Sequence, residues 1–379
     1  MEIDWDDLSD PAGRANSKPD ASVTPELFVA WRSPRFGRAN PERMNNPVWE
    51  WLIRTRLSAY SANEEFSSSL YGSGPCWCFR RFGQSKTTLP DGRVVLIGGE
   101  HEDHYDPDFC IYNDVVVRGP DEGIQIYGYP EHIFPPTDFH SAALVGDRII
   151  IIGSLGYPKH REPRTPVYSL DLQSFKIRAL SCTGEAPGWI HKHAAVHVAE
   201  ENAIVMTGGI VTRDDPDRPI LVENIDDWKL DLGACRWERL TRRQWKRWEI
   251  RRIDSSSNEL FWIRSAFKFK DNADPWSREM FEKQMGELET NLGFQPDLGL
   301  YEKLYVPPVP HERLPDKDDE FRVRRINVNG VIVRYTEDDW SVCITIEGDL
   351  PAATADTIVS DFVDKIAALE RKPYENVRL

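Results

Sequence analysis

The densest run of reactive side chains is Glu100-His101-Glu102-Asp103-His104-Tyr105-Asp106-Pro107-Asp108, where carboxylates and imidazoles alternate. Such groups ligate metal ions, or accept charge and hydrogen bonds from a partner. His101 and His104 stand three apart, and in a loop that spacing fixes no coordination geometry. Carboxylates that cap turns and meet arginines of neighbouring strands account for the run equally well. No cysteine lies at zinc-finger spacing from that run, and a second group, His191, His193 and His197, also has zinc-type donors. Cys76-Trp77-Cys78 is too tight for Cys-x-x-Cys redox geometry and reads as two buried thiols on one face. Residues 242–252 carry six basic residues against one acidic, with Trp245 and Trp248 interleaved. Alone, that mixture suits single-stranded nucleic acid, through phosphate neutralisation and base stacking. The sequence contains no Gly-x-x-x-x-Gly-Lys-Ser/Thr loop, no Gly-x-Ser-x-Gly elbow and no His-Glu-x-x-His.

The acidic and histidine clusters belong to a repeat. Three apolar runs, Val94-Val95-Leu96-Ile97-Gly98-Gly99, Ile149-Ile150-Ile151-Ile152-Gly153-Ser154 and Ile204-Val205-Met206-Thr207-Gly208-Gly209, place their first glycines at 98, 153 and 208. Each reads as a strand buried on both faces that stops in a tight turn. Upstream of each lies a strand entering a hairpin: Gly83-Gln84-Ser85 before Asp91-Gly92, His140-Ser141 before Gly146-Asp147, and His193-Ala194 before Glu200-Glu201-Asn202. Downstream come Tyr112 to Val117, Val167 to Leu172 and Asp227 to Leu232, the last two followed by Ser174 to Leu180 and Arg236 to Leu240. Each repeat is therefore four strands, although the first lacks a clear aromatic fourth strand.

A four-stranded unit with paired glycines after its second strand and an aromatic in its fourth resembles the kelch repeat. The linkers Pro135-Pro136-Thr137-Asp138-Phe139-His140 and Thr183 to His193 are similar to those joining kelch blades. The resemblance covers residues 74–240, with Ser154 in place of a second glycine and Phe175 matched to Trp237. It implies a mainly β fold, a kelch-like β-propeller with helical insertions and a C-terminal three-strand-plus-helix segment. In this alignment His193 takes the place of His140, a site where the fold wants a polar ring that bonds backbone between blades. A lone blade exposes both faces of its sheet and is stabilised by stacking on neighbours.

The flanks divide as follows. Residues 1–23 form a polar leader, and 24–73 a helical segment packed on the propeller, with a helix over 42–57 that buries Trp49, Leu52 and Ile53. Residues 241–320 form a helical insertion with a helix over 276–292 stopped by Gly293. Residues 321–379 hold a hairpin around Asn329-Gly330, a third strand from Trp340 to Ile346, and a helix whose Ile358, Val359, Phe362, Val363, Ile366 and Leu369 make one stripe. This end is either a small α+β module or a final blade capped by a helix.

A formal net charge of −15 opposes general binding of nucleic acid or anionic lipid, and the basic stretch then pairs internally or docks an acidic protein surface. No apolar run has the length of a membrane span, the start of the chain reads as no secretory signal, and six scattered cysteines form no disulfide framework. A cytoplasmic protein is expected, with no cofactor. Members of the kelch family chiefly serve as binding scaffolds, and that is what the resemblance implies. Secreted copper oxidases of similar fold need an export signal and a cysteine-linked tyrosine at copper, which this sequence does not support. The expected function is a protein-interaction scaffold whose partner meets the loops at 100–110, 155–166 and 210–222, using His101, Asp103, His104, Asp106 and Asp108 beside Lys159, Arg161 and Arg164. The alternative is a metal-dependent enzyme using His101, His104, Asp106 and Asp108.

Overall fold

The structure is a computed structural model that describes residues 23–68, 74–103, 106–121, 123–213, 220–257, 274–315, 323–338 and 340–379, with the side chains of 102, 103 and 106–108 left aside. It is mainly β, and it divides into two compact units, residues 1–242 and 243–379. The leader expected over 1–23 lies outside the described residues except for Val23.

The first unit begins with helix α1 (Pro25–Trp31), strand β1 (Glu42–Arg43), and helices α2 (Pro47–Thr55) and α3 (Ala59–Glu65). The sequence places the second helix at 42–57, but Asn46 accepts from the Val48 and Trp49 amides and starts it there. Glu42 and Arg43 instead extend a sheet. Trp49, Leu52 and Ile53 are buried as expected, packed with Val116 and Ile126 of the first sheet, and Trp49 stacks on Trp77 at 5.0 Å.

That sheet is an antiparallel meander of β2 (Ser85–Thr88), β3 (Val94–Ile97), β6 (Val115–Arg118) and β7 (Ile124–Gly128), with β1 at its edge beside β7. A separate hairpin, β4 (Glu100–Asp103) and β5 (Asp106–Ile111), is inserted between its second and third strands. The fourth strand that the sequence obscures is β7, and its aromatic is Tyr127. The second sheet is β8 (Ser141–Val145), β9 (Arg148–Ile152), β10 (Val167–Asp171) and β11 (Ile177–Ala179), interrupted at the same point by 153–166.

The third sheet is reached through β12 (Thr183–Gly184) and β13 (Trp189–His191), and consists of β14 (Ala194–Val198), β15 (Ala203–Thr207), β18 (Trp228–Asp231) and β19 (Arg236–Arg239). Its inserted hairpin is β16 (Ile210–Arg213) with β17 (Ile220–Glu223); β13 pairs with β16, and β12 runs parallel to β19.

Ile149, Ile151 and Leu170 of the middle sheet pack against Val95, Ile97 and Val115 of the first. Ile150, Ile152 and Val167 pack against Ile204, Met206 and Trp228 of the third. Each such side chain fully removed from water contributes about 1.5–3 kcal/mol, so the stacking of sheets holds the unit together. The match of Phe175 to Trp237 shifts by two residues in the structure. Asp171 accepts from the Ser174 amide and Asp231 from the Ala234 amide, so the left-handed turn residues Phe175 and Cys235 correspond, and Ile177 takes the place of Trp237.

The second unit is an α+β module. Its sheet runs β21 (Glu312–Arg313), β22 (Val323–Val328), β23 (Val331–Glu337), β24 (Ser341–Glu347), β20 (Lys246–Arg252) and β25 (Tyr374–Arg378) in spatial order. Helices α4 (Pro275–Leu292), α5 (Leu298–Glu302) and α6 (Ala352–Glu370) supply Leu288, Tyr301, Ile358, Phe362 and Ile366 to its core. Asn329 and Gly330 take positive φ in the hairpin turn, and Gly293 ends α4 in the left-handed region. The sequence divides this part at residue 320, whereas β20 lies between β24 and β25 and joins both halves in one sheet. The reason is the burial of Trp248 and Ile250 inside the basic stretch. Its cations engage neighbours within the chain: Arg242 with Glu185, Lys246 with Asp349, Arg251 with Glu375 and Arg252 with Asp254. Among the described residues no helix is long and apolar enough to cross a membrane.

Candidate functional site

The second strand of each sheet in the first unit ends in glycine with positive φ, at Gly98, Gly153 and Gly208. From each turn the chain leaves the sheet, makes an inserted segment and returns as the third strand. Because the sheets stack, the three inserted segments meet along one edge.

Tyr157 joins the first to the second. Its hydroxyl accepts from the Ile111 amide at 2.9 Å, and its ring meets Phe109 edge to face at 5.9 Å. Trp189 joins the second to the third: its indole donates to Leu155 O at 3.0 Å, while its strand β13 pairs with β16. Two further bonds close this seam, from the Ser154 amide to Ile190 O at 2.9 Å and from Thr165 Oγ1 to Gly188 O at 2.7 Å.

Beneath the edge lies Asp138, fully buried in the linker between the first two sheets. Its Oδ1 accepts from the Gly156 amide at 2.6 Å and from Ser154 Oγ at 3.2 Å. Burial pushes its carboxyl above the usual range, while the Gly156 amide, Glu100 and Ser154 pull it back. Burial also raises the Tyr157 hydroxyl and pushes the Cys110 thiol up to about 11, so both stay protonated at neutral pH.

The residues singled out from sequence fall into separate places. His101 is buried in β4 opposite Cys110 rather than displayed at the edge. Asp103 and Asp106 face each other in register across the hairpin and Asp108 follows in β5. The side chains of these three aspartates, and His104 altogether, lie outside the described residues. Lys159 pairs with Glu131 at 2.8 Å, Arg164 with Glu162 at 2.6 Å, and Arg161 donates to Leu155 O and Gly156 O of its own segment. Glu131, which also meets His160 at 2.9 Å and is held below the usual range chiefly by Lys159, carries no sequence signal. Tyr157 and Trp189 were equally silent, because each becomes informative only once the sheets are stacked. Asp138 lies in a linker whose pattern was legible but whose carboxylate was given no role.

His140 and His193 do occupy equivalent positions, and their partners are hydroxyls rather than backbone. His140 Nε2 stands 2.7 Å from Ser85 Oγ and His193 Nε2 2.8 Å from Ser141 Oγ, each reaching the preceding sheet. Burial lowers His140 to about 3, His191 to about 3 and His193 to about 4, so all three are neutral at pH 7. Among the described residues no three His, Cys, Asp or Glu side chains gather as a metal site. On the edge itself Phe109 is 40% exposed and Leu221 38%.

No family model matches the chain, and no curated protein matches it. Among solved structures, one described as the structure of YjhT aligns at 13% identity with a TM-score of 0.31, over 41% of this chain and 54% of that one. The chain thus matches about half the length of that protein.

Proposed function

We propose that residues 74–240 form kelch-like blades of a propeller-type array that works inside the cell as a protein-interaction scaffold, with the three inserted segments as its docking edge. The observation that carries this reading is the pair of bridges at Tyr157 and Trp189, which make one continuous surface from segments far apart in sequence. Phe109 and Leu221 supply apolar anchors on that surface, and charged side chains around them orient a partner more than they hold it.

The test is capture of partners on the immobilised full-length protein, followed by cross-linking mass spectrometry. It is repeated with Phe109→Ser combined with Leu221→Ser, and with Asp103, Asp106 and Asp108 all changed to Lys. Cross-links are expected in 106–111, 155–166 and 210–223, and the apolar double variant should weaken binding by about tenfold or more. Cross-links confined to 243–379, or full binding by both variants, contradict the assignment.

A further inference from the structure

Cys182 and Cys235 are far apart in sequence and adjacent in the fold. The Thr183 amide donates to Cys235 O at 2.9 Å, and the parallel register Thr183 to Arg236 and Gly184 to Trp237 sets Cys182 beside Cys235 one step earlier. Neighbouring Cα atoms in such a pair lie within the 4.4–6.8 Å that a disulfide spans. Both thiols are free and partly exposed. After burial, the Cys235 thiol is the group that most raises the Cys182 thiol, in keeping with that backbone pairing.

The equivalent point between the first and second sheets makes the pair stand out. There the left-handed turn residue is Phe175, whose carbonyl accepts from Tyr129 Oη at 2.8 Å and whose ring stacks on Tyr127 at 4.5 Å. Between the second and third sheets the turn residue is Cys235, its carbonyl is bonded by Thr183, and a second thiol stands beside it. Two neighbouring cysteines occupy the place of an aromatic stack.

We propose that Cys182 and Cys235 are a reversible disulfide site, closed by exchange with a low-molecular-weight disulfide such as oxidised glutathione, that locks the third sheet to the strand leaving the second. Cys235, as thiolate, attacks one sulfur of the small disulfide, forming a mixed disulfide and releasing one small thiolate that takes up a proton. Cys182 then loses its proton and attacks the Cys235 sulfur, forming the protein disulfide and expelling the second small thiol. Two protein thiols are oxidised and one small disulfide is reduced to two thiols. The bond ties positions 182 and 235 together and so encloses β12 to β18, including the third inserted segment, and adds a covalent tie to an edge held by the two-residue pairing of β12 with β19 and by the ion pairs of Glu185 with Arg239 and Arg242.

The experiment treats the folded full-length protein with oxidised glutathione, alkylates remaining thiols, and reads both peptide mass spectra and Tm. Expected are a Cys182–Cys235 cross-linked peptide, a Tm raised by about 5 °C or more, reversal of both by dithiothreitol, and loss of both in Cys182→Ser and Cys235→Ser. Oxidation and reduction of the unsubstituted protein keep the test decisive if either variant fails to fold. Persistent glutathione on either cysteine without closure, alkylation of both after treatment, or closure with no change in Tm overturns the proposal.

Discussion

The middle and third sheets of the first unit share one plan and differ in what lies beyond them. In the middle sheet Ile149, Ile150, Ile151 and Ile152 are all completely buried, because sheets stack on both faces. In the third, Ile204 and Met206 are buried on one face, whereas on the other Val196 is 63% exposed and Lys229 pairs with Glu201 and Glu238. A Cβ on Gly153 would collide with Ile190 O, and one on Gly98 with Thr137 O, yet one on Gly208 would meet nothing within 4 Å. The histidine series ends in the same way: Ser85 and Ser141 each meet a histidine of the following sheet, and Ala194 has no hydroxyl to offer. Repeat sequence and repeat energy are therefore separate things. The pattern recurs three times, but its stabilisation resides in two junctions, and the third sheet turns a polar face outward as a terminal repeat does.

The same substitution at two equivalent glycines separates the two sheets by the largest margin. Gly153→Ala forces a Cβ against a backbone carbonyl as well as a positive φ, and is expected to lose more than about 3 kcal/mol in urea unfolding. Gly208→Ala carries only the positive φ and is expected to lose about 1 kcal/mol. Equal losses would show that the junction adds nothing.

A smaller effect comes from acid. His140, His191 and His193 lie at or between the junctions and are held neutral by burial, well below the unfolded value of about 6.5. Above that value folded and unfolded chains bind equal protons at these sites. As pH falls below it the unfolded chain takes up protons that the folded one refuses, so stability drops towards the folded values near 3 to 4. Each histidine removes about 2 kcal/mol by pH 5. In His140→Asn, which keeps a polar group for Ser85, the loss between pH 7 and pH 5 should shrink by about that amount. An unchanged pH profile would mean that His140 protonates freely in the folded protein.

Much of this architecture was legible because it rests on local signals. The constant spacing of Gly98, Gly153 and Gly208 marks the second strands, Asn329-Gly330 marks a hairpin, and Gly293 marks a helix end. What escaped depends on distant partners. Ile124–Gly128 pairs as a fourth strand although its aromatic, Tyr127, sits outside the expected pattern, and it declares itself by stacking on Phe175. Phe175 itself was misaligned because the Asp171 cap, rather than the aromatic ring, sets the register. Lys246–Arg252 reads as a surface basic stretch until Trp248 and Ile250 find the second core. In the candidate site, the acidic and cationic segments were identifiable from charge, but the contacts that merge them, Tyr157 with Ile111 and Trp189 with Leu155, connect residues whose proximity only stacking creates.

The central claim is that the sheet junctions build one shared edge from three inserted segments. Hydrogen-exchange mass spectrometry on the unsubstituted protein, Gly153→Ala and Gly208→Ala tests it most directly. The account predicts that Gly153→Ala raises exchange in all three segments, 106–111, 155–166 and 210–213, while Gly208→Ala affects only the third. Exchange in Gly153→Ala that rises in 155–166 alone would contradict it, because the three segments would then be independent loops.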